Sequence, residues 1–349
     1  MEPILLHQFS MLRISLIRSA LTKTALMMVV LIAIAIANIS PAVATPAIAT
    51  SLDNDRTVAL VAQQDPPELV LPIERGDSYV LEFGDLYFAV DPKIGARITT
   101  FAIDGENILT GPSVNPDNYG STFWTSPQSD WHWPPIAAID NQPYTATVDG
   151  QTIVMTSAVS SELGVSVTKK FSADLAERAI ILNYTINNES DKSVTYAPWE
   201  ISRVPAEGVV FYPTGEEIYG SGSFKLPAVT EHNDVTWVQY DDQTAPEGQK
   251  LYADGSDGWL ASLTDRKLFI KSFPDIPPDR QAPGEGEIEI YFNGPDTYAE
   301  VEPQGPYSEI MPGASLSWTV KWHLKKLPRW IPAKVGSQKL IRFVERVLR

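Results

Sequence analysis

The chain has 349 residues, 44% of them apolar and 20% charged, and it contains no cysteine. This composition supplies a core and excludes a disordered, collagen-like or coiled-coil chain, and the missing cysteine excludes disulfides, thiolate metal sites and a Cys nucleophile. A formal net charge of −16 repels a phosphate backbone, so nucleic acid is set aside as a partner.

The first 44 residues read as a secretory leader. Arg13, Arg18 and Lys23 precede an unbroken apolar run of 13 residues, Ala25 to Ala37, and the small triplet Ala42-Val43-Ala44 follows. A basic start, a short apolar stretch and an A-x-A site define a signal peptide. The run is shorter than the ~20 residues a spanning helix needs, so an uncleaved anchor is the lesser reading. Cleavage after Ala44 would place the mature chain in a periplasm or outside the cell. Residues 45–75, with Pro46, Pro66, Pro67 and Pro72 and no sustained periodicity, read as a tether.

From about Tyr79 the hydrophobic period is two. The run 315–324 is the clearest: Leu316, Trp318, Val320, Trp322 and Leu324 share one face, and Ser315, Ser317, Thr319, Lys321 and His323 the other. Similar runs occupy 151–159, 165–171, 179–187, 209–212, 235–240, 259–263, 268–273, 287–292 and 298–302. Asp149-Gly150 between two such runs predicts a tight hairpin. Asp104-Gly105, Asp254-Gly255, Asp257-Gly258 and Asn293-Gly294 mark further turns. The 28 prolines argue against long helices. With no break in composition over 76–327, the expectation is one all-β domain, a large antiparallel sandwich, although length alone would allow two domains at ~150 residues each.

The C-terminus differs. Ser337 could cap a short helix running to Arg349, with Leu340, Ile341, Val344, Val347 and Leu348 as an apolar stripe and bases opposite. Residues 325–349 carry a net charge of +7 and residues 1–44 carry +2, which leaves −25 for the body between them. This tail helix, 328–349, either makes weak contact with an anionic membrane surface or packs on its own acidic body; the second reading is favoured.

Three segments carry candidate chemistry. The first, TFWTSPQSDWHWPP at 122–135, holds Phe123, Trp124, Gln128, Asp130, Trp131, His132 and Trp133. Pro134 and Pro135 make it a rigid loop; if it were extended, Trp131 and Trp133 would share a face and His132 would oppose them. Indole faces beside amide and carboxyl groups suit the C–H face and hydroxyls of a pyranose, while sealing the core is the competing use. The second, YAEVEPQGPY at 298–307, puts Tyr298, Glu300 and Glu302 on one strand face. Paired carboxylates in a cleft raise one another's pKa and suit acid–base work; when exposed they are a solvated face. The third, APWEISR at 197–203, places Glu200 opposite Trp199, Ile201 and Arg203 if extended. A bulge would join Glu200 to Arg203 as a ligand fork, and a surface ion pair is the plainer outcome.

The remaining signals are weaker. His7 falls in the leader, His232 in a loop, and His323 on the polar face of its strand. One His cannot form a His-rich zinc set. Residues 252–258 could present two Asp to calcium but lack the spacing and closing Glu of an EF-hand loop, so a turn is favoured. No G-x-S-x-G, P-loop or G-x-G-x-x-G occurs, and no cofactor is implied.

GARITTF at 95–101 followed by GENILTG at 105–111 resembles the opening hairpin of galactose mutarotase-like domains. SPQSDWHWPP, APWEISR, EVEPQGPY and PGASLSWTVKWHL, in that order, resemble an uncharacterised bacterial branch of the same superfamily. The resemblance spans about 79–327 and implies a β-supersandwich with a sugar site on its concave face. It also implies a Glu base taking the anomeric hydroxyl proton while a His acid protonates the ring oxygen. By position Glu302 resembles the base, with Glu300 as runner-up, and Arg97 would face the ligand. The segment expected to hold the acid His reads Ala197-Pro198-Trp199-Glu200, which leaves His132 as its substitute. The expected function is a secreted or periplasmic carbohydrate-binding protein. The alternatives are an aldose 1-epimerase using Glu302 and His132, and an envelope-associated structural protein. The expected substrate-binding set is Trp124, Gln128, Trp131, Trp133, Glu200, Arg203, Glu300 and Arg97.

Overall fold

A computed structural model describes residues 69–220, 229–240, 248–294 and 297–349. The leader and most of the tether lie outside the described residues. The described residues form one compact unit.

The strands are β1 (Ile73–Arg75), β2 (Ser78–Phe83), β3 (Leu86–Asp91), β4 (Arg97–Ile103), β5 (Glu106–Asn107), β6 (Ser121–Ser126), β7 (Thr145–Asp149), β8 (Thr152–Thr156), β9 (Val165–Asp174), β10 (Ala179–Asn188) and β11 (Val194–Pro205). They continue with β12 (Gly208–Gly220), β13 (Val229–His232), β14 (Val235–Tyr240), β15 (Gln249–Gly255), β16 (Trp259–Thr264), β17 (Lys267–Ser272), β18 (Ile288–Phe292), β19 (Tyr298–Pro303), β20 (Ser308–Ile310) and β21 (Ser315–Lys326). Two helices interrupt them, the single turn α1 (Ala137–Asp140) and the C-terminal α2 (Gln338–Val347).

All pairings are antiparallel. One sheet runs β1-β2-β3-β4-β6-β11-β19-β18-β15 and ends on the second half of β12. The other runs β7-β8-β9-β10-β21-β17-β16, the first half of β12, then β14 and β13. Strand β12 therefore changes sheets. It pairs with β14 up to Pro213, then with β15 from Thr214, with a register shift before Ile218. The first sheet begins at Ile73, inside the segment read as a tether.

The inward faces of the two sheets make the core. Trp322 meets the rings of Phe88, Phe101 and Phe269 at centroid distances of 6.3, 5.4 and 4.9 Å. Fully burying one such ring is worth about 1.5–3 kcal/mol before the cost of ordering it. The expected hairpin is present. Asp149 pairs with Thr152 across Gly150, which takes φ 58°, a left-handed value that glycine adopts without strain.

A second apolar layer covers the outer face of the second sheet. Phe211, Trp237, Trp259, Leu268 and Ile270 pack against Leu327, Ile331, Leu340, Ile341 and Val344. Helix α2 thus uses its apolar stripe on the body, and Ser337 caps it by accepting from Leu340 N at 3.3 Å. Among the described residues no helix is long and apolar enough to cross a membrane. His323 keeps its place on the polar face of β21, where Ser315 and Ser317 are exposed and Thr319 and Lys321 half-buried, but it is itself 1% exposed beside Ile270.

Candidate functional site

The first sheet's outer face gathers the candidate chemistry, because strand register alternates side chains between core and exterior. Trp199 pairs with Trp124, Ile201 with Thr122, Arg203 with Glu300, and Glu302 with Glu289. Each pair lies on the outer face, whereas Val301, Ile290 and Leu251 point into the core. The expectation that Tyr298, Glu300 and Glu302 share a face matches this register, but these side chains are buried rather than a solvated surface.

Two ion-pair groups occupy the face. Arg203 Nε lies 2.9 Å from Glu300 Oε1, and Arg203 Nη1 donates to Thr122 Oγ1 at 3.1 Å. The guanidinium also lies over Trp124 and Tyr298, at 5.5 and 5.9 Å. Beside it, Lys250 Nζ reaches Glu289 Oε2 at 2.5 Å and Glu302 Oε2 at 3.0 Å, and sits 4.3 Å from the Trp199 ring centroid. Trp199 Nε1 donates to the same Glu302 oxygen at 2.8 Å. Gln304 Nε2 bridges Glu289 at 2.7 Å and Glu285 at 3.2 Å, and Glu285 also accepts from the Gln128 backbone at 2.9 Å.

Burial governs the protonation. It raises the Glu300 carboxyl to about 7, against the opposing pull of Arg203 and with further help from Glu302. Burial likewise pushes Glu289 well above the carboxylate range, with Lys250 opposing and Glu285 and Glu302 adding to the rise. For Lys250 burial favours the neutral amine, but Glu289, Glu302 and Glu285 outweigh it and hold the ammonium charged. Among the buried atoms on this face without a hydrogen-bond partner are Glu302 Oε1, Gln304 Oε1 and Arg203 Nη2.

The tryptophan segment is partly strand. Trp124 belongs to β6 rather than to a loop, and a single 3-10 turn, Gln128–Asp130, follows it. His132 takes φ 55°, so strand alternation does not govern residues 131–133. Trp124 is buried, packing edge-on against Trp199, Trp131 and Trp133 at 5.3, 5.7 and 6.1 Å. Its N–H donates to Asp140 Oδ1 at 2.7 Å. Trp131 is half-buried and donates to Thr125 O at 2.8 Å, whereas Trp133 is 59% exposed. Of the four indoles in this cluster, Trp133 alone offers a broad open surface.

Arg97 is buried on β4. It donates to Asp117 O at 2.8 Å, lies 3.5 Å from Asp140 Oδ2 and stacks 4.7 Å from the Tyr119 ring. It therefore braces the Trp124–Asp140 contact. Gly120 lets the preceding loop pass this corner: a Cβ there would stand 2.3 Å from Ile98 O, and its φ is 65°.

Glu200 corrects the expectation. Strand β11 is regular through 197–203, so Glu200 faces the core, away from Arg203, and is neither a surface ion pair nor part of the outer face. It pairs with Lys271 at 2.6 Å and accepts from Tyr184 OH at 3.1 Å and Trp322 Nε1 at 3.1 Å. Lys271 also donates to Val301 O at 2.7 Å, on the peptide between the two outer glutamates. His132 is exposed, and its backbone N–H donates to Gln128 O at 2.8 Å. Among the described residues there is no group of three or more side chains suited to hold a metal ion.

Lys250, Glu289, Gln304 and Asp140 were not singled out from the sequence. A signal existed for two of them. Ile288–Phe292 reads IEIYF and residues 250–253 read KLYA, each placing a charge opposite core aliphatics within a strand.

Two face-to-face antiparallel sheets make a large β-sandwich of the fold found in galactose mutarotase-like proteins. Solved structures share this fold. A putative aldose 1-epimerase from Escherichia coli K12 is 12% identical, with 72% of this chain and 99% of that one covered at a TM-score of 0.51. A galactose mutarotase-like protein from Clostridium acetobutylicum is 12% identical, covering 72% and 95%, also at 0.51. A protein of Synechocystis sp. PCC 6803 is 14% identical, covering 72% and 97%, at 0.51. The chain belongs to the family described as a domain of unknown function, DUF4380, whose model matches residues 79–325. No curated protein matches.

Proposed function

We propose that this chain is an extracytoplasmic carbohydrate-binding protein, exported by its leader, that takes a sugar on the outer face of the first sheet. The unpartnered atoms of Glu302, Gln304 and Arg203 carry the reading. Leaving a buried polar group unpaired costs about 1–3 kcal/mol, and such groups call for a partner. Glu302 Oε1 and Gln304 Oε1 accept and Arg203 Nη2 donates, and a sugar hydroxyl can answer either kind. Trp133 supplies an open indole for the ring's C–H face.

Isothermal titration with mono- and oligosaccharides tests the proposal. Trp133→Ala and Trp131→Ala are expected to weaken binding about tenfold or more, equivalent to ~1.4 kcal/mol. Absence of heat at millimolar sugar, or equal affinity in both variants, would remove the proposal.

A second reading, an aldose 1-epimerase, draws support from the Glu300 carboxyl raised to about 7, within the range of a working acid or base. In that reading Glu300 rather than Glu302 exchanges the anomeric proton, since Glu302 Oε2 already serves Trp199 and Lys250. His132 would have to approach the ring oxygen from the exposed loop. Polarimetry on fresh α-glucose and α-galactose decides it. A Glu300→Gln chain that speeds mutarotation as the wild type does would eliminate it.

A further inference from the structure

We propose that the outward side of helix α2 is a docking ridge for an anionic lipid surface. Lys339, Arg342 and Arg346 stand at i, i+3 and i+7, so at 3.6 residues per turn they share one side. Leu340, Ile341 and Val344 lie on the opposite side and are buried against the body. The bases therefore sit on the side away from the body and all three are exposed, with Arg346 lying back along the helix, its Nε donating to Arg342 O at 3.4 Å and its guanidinium 5.8 Å from the Phe343 ring. None has a carboxylate partner among the described residues. The helix's one acid, Glu345, lies 4.0 Å from Arg349, itself exposed.

The rest of the chain makes this ridge conspicuous. Residues 45–324 carry a net charge of −25 and residues 325–349 carry +7. An anionic surface repels the body and attracts only the tail, so contact would orient the molecule with α2 downward. The segment leading into the helix adds Arg329 and an indole, Trp330, that is 62% exposed. An indole suits the headgroup level of a bilayer, where its ring is half-wet, and this favours lipid over a soluble polyanion. Because the apolar stripe of α2 is already used, the contact is with headgroups, reversible and screened by salt, rather than insertion.

The test uses the chain from Thr45 onward, which keeps every described residue of the compact unit, and follows sedimentation with phosphatidylcholine vesicles with and without phosphatidylglycerol. Binding is expected only with phosphatidylglycerol, falling about tenfold between low and physiological salt. Arg342→Glu with Arg346→Glu should lower it about tenfold or more, and Trp330→Ala by less, with the salt dependence kept. Circular dichroism checks that the helix persists; where the reversed charges disturb it, Arg342→Gln with Arg346→Gln replaces them. Equal binding to neutral vesicles, no binding to anionic ones, or undiminished binding by a folded double variant overturns the proposal. So does capture by polyphosphate without any capture by vesicles.

Discussion

The indole N–H of Trp199 donates to Glu302 Oε2 at 2.8 Å, and Lys250 reaches the same oxygen at 3.0 Å. This carboxylate is an anchor for an aromatic wall and an ammonium before it is anything else. A residue so engaged is poorly placed to accept a further proton at that oxygen, and only Oε1 faces no partner.

Glu302→Gln is accordingly expected to act on stability. The amide carries no charge for Lys250 and cannot serve Trp199 and Lys250 equally well, and the loss should be about 1–3 kcal/mol. Lys250 keeps Glu289, which limits the damage. Urea unfolding measures the effect. A variant as stable as the wild type would show that the contacts carry no net energy.

Between the sheets, Lys271 ties Glu200 to the carbonyl of Val301 and so joins β17, β11 and β19. Lys271→Met would leave Glu200 as an uncompensated buried charge and should cost about 3–5 kcal/mol. Lys271→Met combined with Glu200→Gln should recover much of that loss, because what destabilises is the stranded charge more than the missing pair. A double-mutant cycle reads the coupling directly; simple additivity of the two single changes would contradict the account.

Much of this architecture was legible in the chain because strand side chains repeat every two residues. The run 235–240 matches β14 end to end, and the shared face of Tyr298, Glu300 and Glu302 follows from the same period. Two kinds of feature were not legible. Lys250, Glu289 and Lys271 matter through partners tens of residues away, and no local pattern announces a long-range ion pair. The burial of Glu200 was hidden for a different reason. Period two separates the faces of a strand but does not say that both are covered, as they are for β11, whose outer face lies under the tryptophans.

The Glu300 carboxyl makes stability depend on pH. Its folded value of about 7 lies above the ordinary 4.5, so between these limits the native state holds the extra proton. Its contribution is complete below pH 4.5 and is lost as the pH rises through 7. Glu300→Gln keeps an oxygen toward Arg203 and cannot ionise. Relative to this variant, the wild type should lose on the order of 3 kcal/mol across that interval. Urea unfolding at several pH values checks it, and a constant difference between the two proteins would contradict it.

His323 should act with the opposite sign. Burial lowers its pKa to about 4 from 6.5, with Lys325 and Lys321 adding to the fall and Glu177, by its charge and a backbone hydrogen bond, resisting it. Between pH 4 and 6.5 the unfolded chain binds the extra proton. The contribution is therefore present above 6.5 and is lost as the pH falls toward 4, again on the order of 3 kcal/mol. The windows of His323 and Glu300 overlap from 4.5 to 6.5, where the two slopes oppose one another. Replacing one group should expose the other: relative to the wild type, His323→Leu should make stability fall more steeply with rising pH, and Glu300→Gln should make it fall less steeply. Thermal or urea unfolding of both variants and the wild type at pH 4.5 and 6.5 reads the two signs. Identical slopes in the two variants would show that neither buried group titrates as its surroundings dictate.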